Sequence, residues 1–176
     1  MGKKVYIVLS YTGTILSRLV KIWTREKYSH ISISLDESLT QMYSFGRLYP
    51  YNPFIGRFLH EEIDKGTLKR FKKTTSVIYS LEVSDYQYRK MKKLIKDFEK
   101  NKDVYKFNIA GLFANMIHVK IKRKNHFYCA EFVKEVLNEA DLGNDLPKLI
   151  KPIDFLDLDN LELVYEGLLR KYNYET

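Results

Sequence analysis

The chain has 176 residues, of which 45% are hydrophobic, 14% aromatic and 30% charged. This composition suits one folded domain, 1–176, with a well-buried core, and it excludes a disordered or low-complexity chain. A formal charge of +8 raises the expectation of an acidic partner, and a single cysteine excludes an intrachain disulfide and any multi-cysteine metal site.

The first apolar run, 5–9, is β-branched and short, so it predicts a strand rather than a signal h-region. No segment is long enough to span a bilayer, and a cytoplasmic protein is the expectation. Gly2 raises myristoylation, but Tyr6 stands where that pattern needs a hydroxyl residue. After a turn at 11–14, Ile15, Leu16, Leu19, Val20 and Trp23 recur at helical spacing and predict a helix over 14–24 with one apolar face.

Residues 29–35 alternate: Ile31, Ile33 and Leu35 point one way, and His30, Ser32 and Ser34 the other. A polar turn at 36–38 and a second strand at 40–45 predict a hairpin. Pro50, Pro53, Gly56 and several aromatics make 46–57 an expected ordered loop. A strand follows at 75–83. Ser84 with Gln87 is a capping box, opening a helix that runs to about Lys100. Residues 107–119 read as a further apolar helix and 120–125 as a basic loop. Over 128–142, Cys129, Phe132, Val133, Val136, Leu137 and Ala140 mark a helix with Gly143 as its stop. Pro147 and Pro152 bracket a loop. A final strand is expected at 161–172, with 168–172 also readable as helical. With no repeat and no linker, the fold class is α+β.

Cys129 is the first candidate for chemistry. At the first turn of its helix, a thiolate meets the positive end of the helix dipole and unpaired backbone N–H groups. Those groups can also bind the oxyanion of acyl transfer. Against this stands the ordinary reading: cysteine is among the most buried residue types, and Cys129 lies on the apolar face. His30 is the second candidate. A strand gives the ring the fixity that a general base needs. His126, three residues before Cys129, is its rival, while His60 lies in a charged stretch with Glu61 and Glu62, and His118 ends a helix. A third polar group should orient the base. Counting back from the turn places residue 44 or 45 across from residue 30 or 31. Gln41, Tyr43 and Ser44 are the polar side chains available there.

Three stretches, Tyr-Ser-His30-Ile-Ser-Ile-Ser-Leu-Asp, Gln-Met-Tyr-Ser44-Phe-Gly-Arg and Phe-Tyr-Cys129-Ala-Glu-Phe-Val, carry a family resemblance. Together they resemble the circularly permuted branch of the NlpC-type papain-like cysteine hydrolases, which includes YiiX-type proteins and lecithin retinol acyltransferase-like enzymes. In that branch the histidine hairpin precedes the cysteine helix, as it does here. The resemblance covers roughly residues 5–142. It implies a papain-like antiparallel sheet packed on helices, with Cys129 as nucleophile, His30 as base and Ser44 at the place of the third residue, where the family often has His or Glu. A serine there bonds imidazole but brings no negative charge.

The resemblance implies a peptidase or amidase, with lipid acyl transfer as variant chemistry, acting on a peptide, amide or acyl substrate without metal or organic cofactor. The second reading is a non-enzymatic papain-like module whose basic surface binds an acidic polymer or a membrane. The loop 120–124 carries Lys120, Lys122, Arg123 and Lys124, which suits phosphates or simply solvent. No recognition-helix or RNA-binding motif accompanies it, so nucleic acid is not the expected partner. The aromatic stretch 49–54 reads equally as a cleft wall or as core cover.

Overall fold

The computed structural model describes residues 2–49 and 52–173, with side chains at all of these except 48–49 and 52–55. The elements run β1 (Lys3–Tyr11), α1 (Ile15–Thr24), β2 (His30–Ser34), β3 (Met42–Tyr49), β4 (Asn52–Glu61), α2 (Gly66–Arg70), β5 (Thr75–Val83), α3 (Asp85–Lys100), β6 (Lys106–Phe107), α4 (Ile109–Met116), β7 (His126–Phe127), α5 (Cys129–Glu139) and β8 (Leu161–Leu168). Six strands form one antiparallel sheet in the order β4-β3-β2-β1-β5-β8, and β6 and β7 make a short parallel pair. The class is α+β, with helices packed on the sheet.

β1 lies inside the sheet because both of its faces are apolar. Val5, Ile7 and Leu9 enter the main core, while Tyr6 and Val8 join a smaller core on the opposite face with Met42, Leu68 and Ile78. A strand buried on both faces reads as a continuous apolar run, which is what 5–9 shows. Across the main core, α5 lays Phe132, Val133, Val136 and Leu137 over β2 and β3, each fully buried. Phe132 sits 5.4 Å from Phe45, 5.5 Å from Phe58 and 5.2 Å from Phe98, ring centre to ring centre.

The stretch 46–57 is not a loop. It forms the far half of β3 and most of β4, paired from Met42↔Glu61 to Tyr49↔Asn52. Pro53 argues against a strand in general, but β4 is the outer strand of the sheet, and Pro53 falls at an irregularity of the ladder, where no pairing with β3 is made between Asn52 and Gly56. Gly56 is needed there for close approach. A Cβ on it would lie 2.5 Å from the Gly46 carbonyl oxygen and 2.7 Å from Phe107 Cβ. The expected aromatic wall at 49–54 falls outside the described side chains.

Three helices differ from expectation. The short α2 was not anticipated. α4 is trimmed to eight residues, because Asn108 caps it and His118 turns out of it at a left-handed φ of 59°. α5 starts one residue later than expected and ends before Ala140. The left-handed residue after it is Asp141 (φ 60°), not Gly143. The final strand ends at Leu168, and a 3-10 turn covers Leu169–Lys171.

Candidate active site

The site lies where the N-terminus of α5 meets the end of β2. Tyr128 is the N-cap of α5, and its own N–H is taken by the Glu131 carboxylate at 3.1 Å. The Tyr128 hydroxyl is anchored away from the cap. It donates to the Ile150 carbonyl at 3.0 Å and accepts from Asn115 at 3.1 Å. Cys129 is the first helical residue, and its N–H has no place in the helix ladder. Cys129 is 6% exposed, the most accessible residue of the apolar stripe it begins.

Asn108 braces this corner. It is fully buried, its oxygen accepts from the Gly111 N–H at 3.0 Å, and its amide donates to the Ile121 carbonyl at 3.2 Å and to Glu131 at 3.3 Å. One side chain therefore links the start of α4, the basic loop and the cap of the cysteine helix. Burial raises the Glu131 pKa, against the pull of its bonds to Tyr128 and Asn108 and the charges of Lys120 and Lys122.

His30 is the first residue of β2, and its ring lines one cavity with Glu61 and Cys129. Its Nε2 is 3.1 Å from one Glu61 oxygen and 3.4 Å from the other, with side-chain exposures of 20% for His30 and 12% for Glu61. Burial alone would push the imidazole pKa down. The Glu61 charge and hydrogen bonds to Cys129 and Glu61 outweigh it and raise the value to about 10. Glu61 moves the opposite way. Burial would raise it, but the charge of His30 and bonds to His30 and Ser32 hold it below the usual carboxylate range.

Ser44 is a different case. The hairpin pairs Ile33 with Tyr43 and Ser34 with Met42. That register sets Ser32 across from Ser44, Ile31 across from Phe45 and His30 across from Gly46, so the expected pairing of 31 with 45 holds and that of His30 with 44 or 45 does not. The cause is the turn. The Leu35 N–H bonds the Gln41 carbonyl, and the Asp36 carboxylate gathers Ser34, Ser38, Thr40 and the Gln41 N–H inside it. The Ser44 hydroxyl is fully buried and makes no hydrogen bond of ordinary geometry, although it lies near enough to Glu61 to favour that group's charge. The groups that bond the imidazole are Glu61 and, at 3.4 Å, the Ser32 hydroxyl, not Ser44, Gln41 or Tyr43. Tyr43 stacks on Phe58 and His60 instead. His126 bonds the Lys124 carbonyl at 2.7 Å and faces a cavity with Gly56 and Lys102, away from Cys129.

Glu61 was read from the sequence only as part of a charged stretch. The alternation of Phe58 and His60 against Leu59 and Glu61 was the available signal, obscured by Pro53 and Gly56 just before it.

Two cavities meet at Cys129. The narrower, about 80 Å³, holds His30, Glu61, Arg47 and Thr14. Arg47 donates to the Thr14 hydroxyl at 2.6 Å. The wider, about 340 Å³, is walled by Val20, Trp23, Leu112, Met116, Tyr128 and Ile150. Ser29 and Leu112 belong to both walls, as Cys129 does. Among the described residues, no group of three or more His, Cys, Asp or Glu side chains is placed to hold a metal ion, and no helix is long and apolar enough to cross a membrane. In comparisons with known proteins, no family model, no curated protein and no solved structure matches the chain.

Proposed function

We propose that the chain is a papain-like cysteine hydrolase or acyl-transfer enzyme of the permuted NlpC-type arrangement, with Cys129 as nucleophile, His30 as base and Glu61 as the group that orients the base. The observation that carries this reading is the imidazole of His30, held at Nε2 by the largely enclosed Glu61 carboxylate and lining the same cavity as the only thiol of the chain. A nucleophile, a base and an orienting acid in contact are the parts that acyl transfer needs.

In this mechanism Cys129 Sγ attacks the carbonyl carbon of an amide or ester. With Nε2 engaged by Glu61, Nδ1 is the nitrogen left to face the sulfur, and the raised pKa with Glu61 beside the ring keeps it imidazolium near neutral pH, so in this mechanism the proton already rests on His30 and the sulfur attacks as its ion-pair partner. The oxyanion accepts from the Cys129 N–H, since the neighbouring Tyr128 N–H is already used by Glu131. Collapse of the tetrahedral intermediate expels the amine or alcohol, which receives its proton from His30, and leaves a thioester on Cys129. Water, or a second hydroxyl or amine in the transfer variant, then resolves the thioester with His30 as base. Peptide, amide and acyl substrates all fit this sequence. The carboxylate at Glu61 supplies the negative charge that a serine in the third position would lack.

The test is alkylation of the intact protein by iodoacetamide near neutral pH. Rapid modification at Cys129, slowed about a hundredfold by His30→Ala, supports the dyad. A rate no faster than that of a free cysteine and indifferent to His30 removes it.

A further inference from the structure

Of the twelve large hydrophobic residues left exposed among those described, eight come from two short segments, 15–23 and 113–121. Single exposed hydrophobics are ordinary, but a cluster of this kind marks an interaction face. Ile22 is 74% exposed and Ile117 68%, and Leu19, Trp23, Phe113 and Val119 accompany them. These residues belong to α1 and to α4 with the turn after it. The same two helices wall the wider cavity, through Val20 and Trp23 on one side and Leu112 and Met116 on the other. The apolar groups therefore flank one mouth on two lips, α1 and the end of α4, with Cys129 in the cavity lining and Ile22 on the outer side of the first lip beside Tyr11, Arg18, Lys21 and Arg25.

The charge of the two lips is of one sign. Residues 12–25 and 104–130 contain no Asp or Glu. They carry Arg18, Lys21 and Arg25 on the first lip, and Lys120, Lys122, Arg123 and Lys124 on the second, while Lys106 lines a different cavity with Asp103. Residues 117–124 are exposed throughout.

We propose that this face docks on an anionic lipid bilayer. Exposed isoleucines and a tryptophan enter the headgroup boundary, and the surrounding cations pair with lipid phosphates. A second copy of the chain is the poorer occupant. A two-fold contact sets the same patch against itself, and here it would oppose cation to cation. Docking points the mouth of the wider cavity at the membrane, so that an apolar group leaving the bilayer reaches Cys129 without crossing bulk water. The inference goes beyond the hydrolase reading and does not depend on it, since a chain with an inert thiol would dock equally.

The experiment is flotation of the full chain with vesicles of equal parts phosphatidylglycerol and phosphatidylcholine, against vesicles of phosphatidylcholine alone. Binding to the anionic vesicles only, weakened by salt, is expected. The fluorescence of Trp23, the sole tryptophan, should shift to the blue on binding. The double variant Ile22→Ser, Ile117→Ser should bind about tenfold more weakly. Replacing Lys120, Lys122, Arg123 and Lys124 with Ser should cost about a hundredfold or more. Unchanged alkylation of Cys129 in both variants shows that they are folded and separates this test from that of the hydrolase reading. No binding to anionic vesicles, equal binding to both compositions, or binding indifferent to these variants overturns the proposal. So does a concentration-dependent dimer that Ile22→Ser and Ile117→Ser dissolve, which would give the face to a second copy.

Discussion

Helices α5 and α1 begin from similar patterns and end in opposite circumstances. Both repeat apolar residues at helical spacing. In α5 Phe132, Val133, Val136 and Leu137 are all fully buried, because the helix lies over β2 and β3. In α1 the corresponding stripe divides: Leu16 and Val20 go inward, while Ile15, Leu19 and Trp23 stay in solvent. Periodicity establishes that a helix has an apolar face, but only the position of the sheet decides whether that face is spent on the core. The unspent face belongs to the rim of the site. Cys129 stands between the two regions, packed from below with the core and open above to both cavities.

The contrast can be broken most forcefully at its packed end. Phe132→Ala should destabilise the protein by about 3–5 kcal/mol in urea denaturation, since the ring is enclosed by Phe45, Phe58 and Phe98. A loss below about 1 kcal/mol would mean that the aromatic core is not as tightly packed as it stands here. Next comes the boundary. His30→Ala should slow alkylation of Cys129 by about a hundredfold, roughly 2.7 kcal/mol, while leaving the core helix intact by circular dichroism.

Smaller again is the effect of the orienting group. Glu61→Gln should slow alkylation about tenfold, and its cost in stability should depend on pH. His30 is raised from 6.5 to about 10, so its contribution is full below pH 6.5 and is lost as pH rises through about 10. Glu61 is lowered from 4.5, so its contribution is present above pH 4.5 and is lost as pH falls through its folded value. The difference in Tm between the parent and Glu61→Gln should therefore be widest between pH 4.5 and 6.5 and narrow on either side. A difference flat from pH 4.5 to 10 would mean the pair is not ionised in the folded protein. Least of all, Ile22→Ser should change stability by no more than about 0.5 kcal/mol, as an exposed position does. A larger loss would show that the rim is packed after all.

How far the site could be read from the chain follows from distance along it. Cys129 stood out because its helix is written in one continuous pattern. His30 stood out because its strand alternates without interruption. Glu61 did not, although it bonds the ring directly. It reaches His30 across β3, thirty-one residues away, and that pairing exists only once β3 and β4 are seen as a hairpin. Pro53 and Gly56 made that hairpin look like a loop. The edge position that tolerates Pro53 and the neighbouring backbone that demands Gly56 are properties of the sheet, invisible in the segment itself. Ser44 was misplaced by the same kind of fact: a side-chain network centred on Asp36 holds the turn over 36–40, and the register it leaves sets Ser44 across from Ser32 rather than His30.

The bracing of Asn108 bears on how this chain can change over generations. A Cβ placed on Gly111 would fall 2.1 Å from the Asn108 amide nitrogen, so even alanine there displaces the side chain that ties α4, the basic loop and Glu131 together. A smaller residue at 108 would make the room but leave the Gly111 N–H and the Ile121 carbonyl without their partner. Neither position can drift alone. Variant lineages should change 108 and 111 as a pair or not at all, and the corner that presents Cys129 is thereby held by two residues that line neither of its cavities.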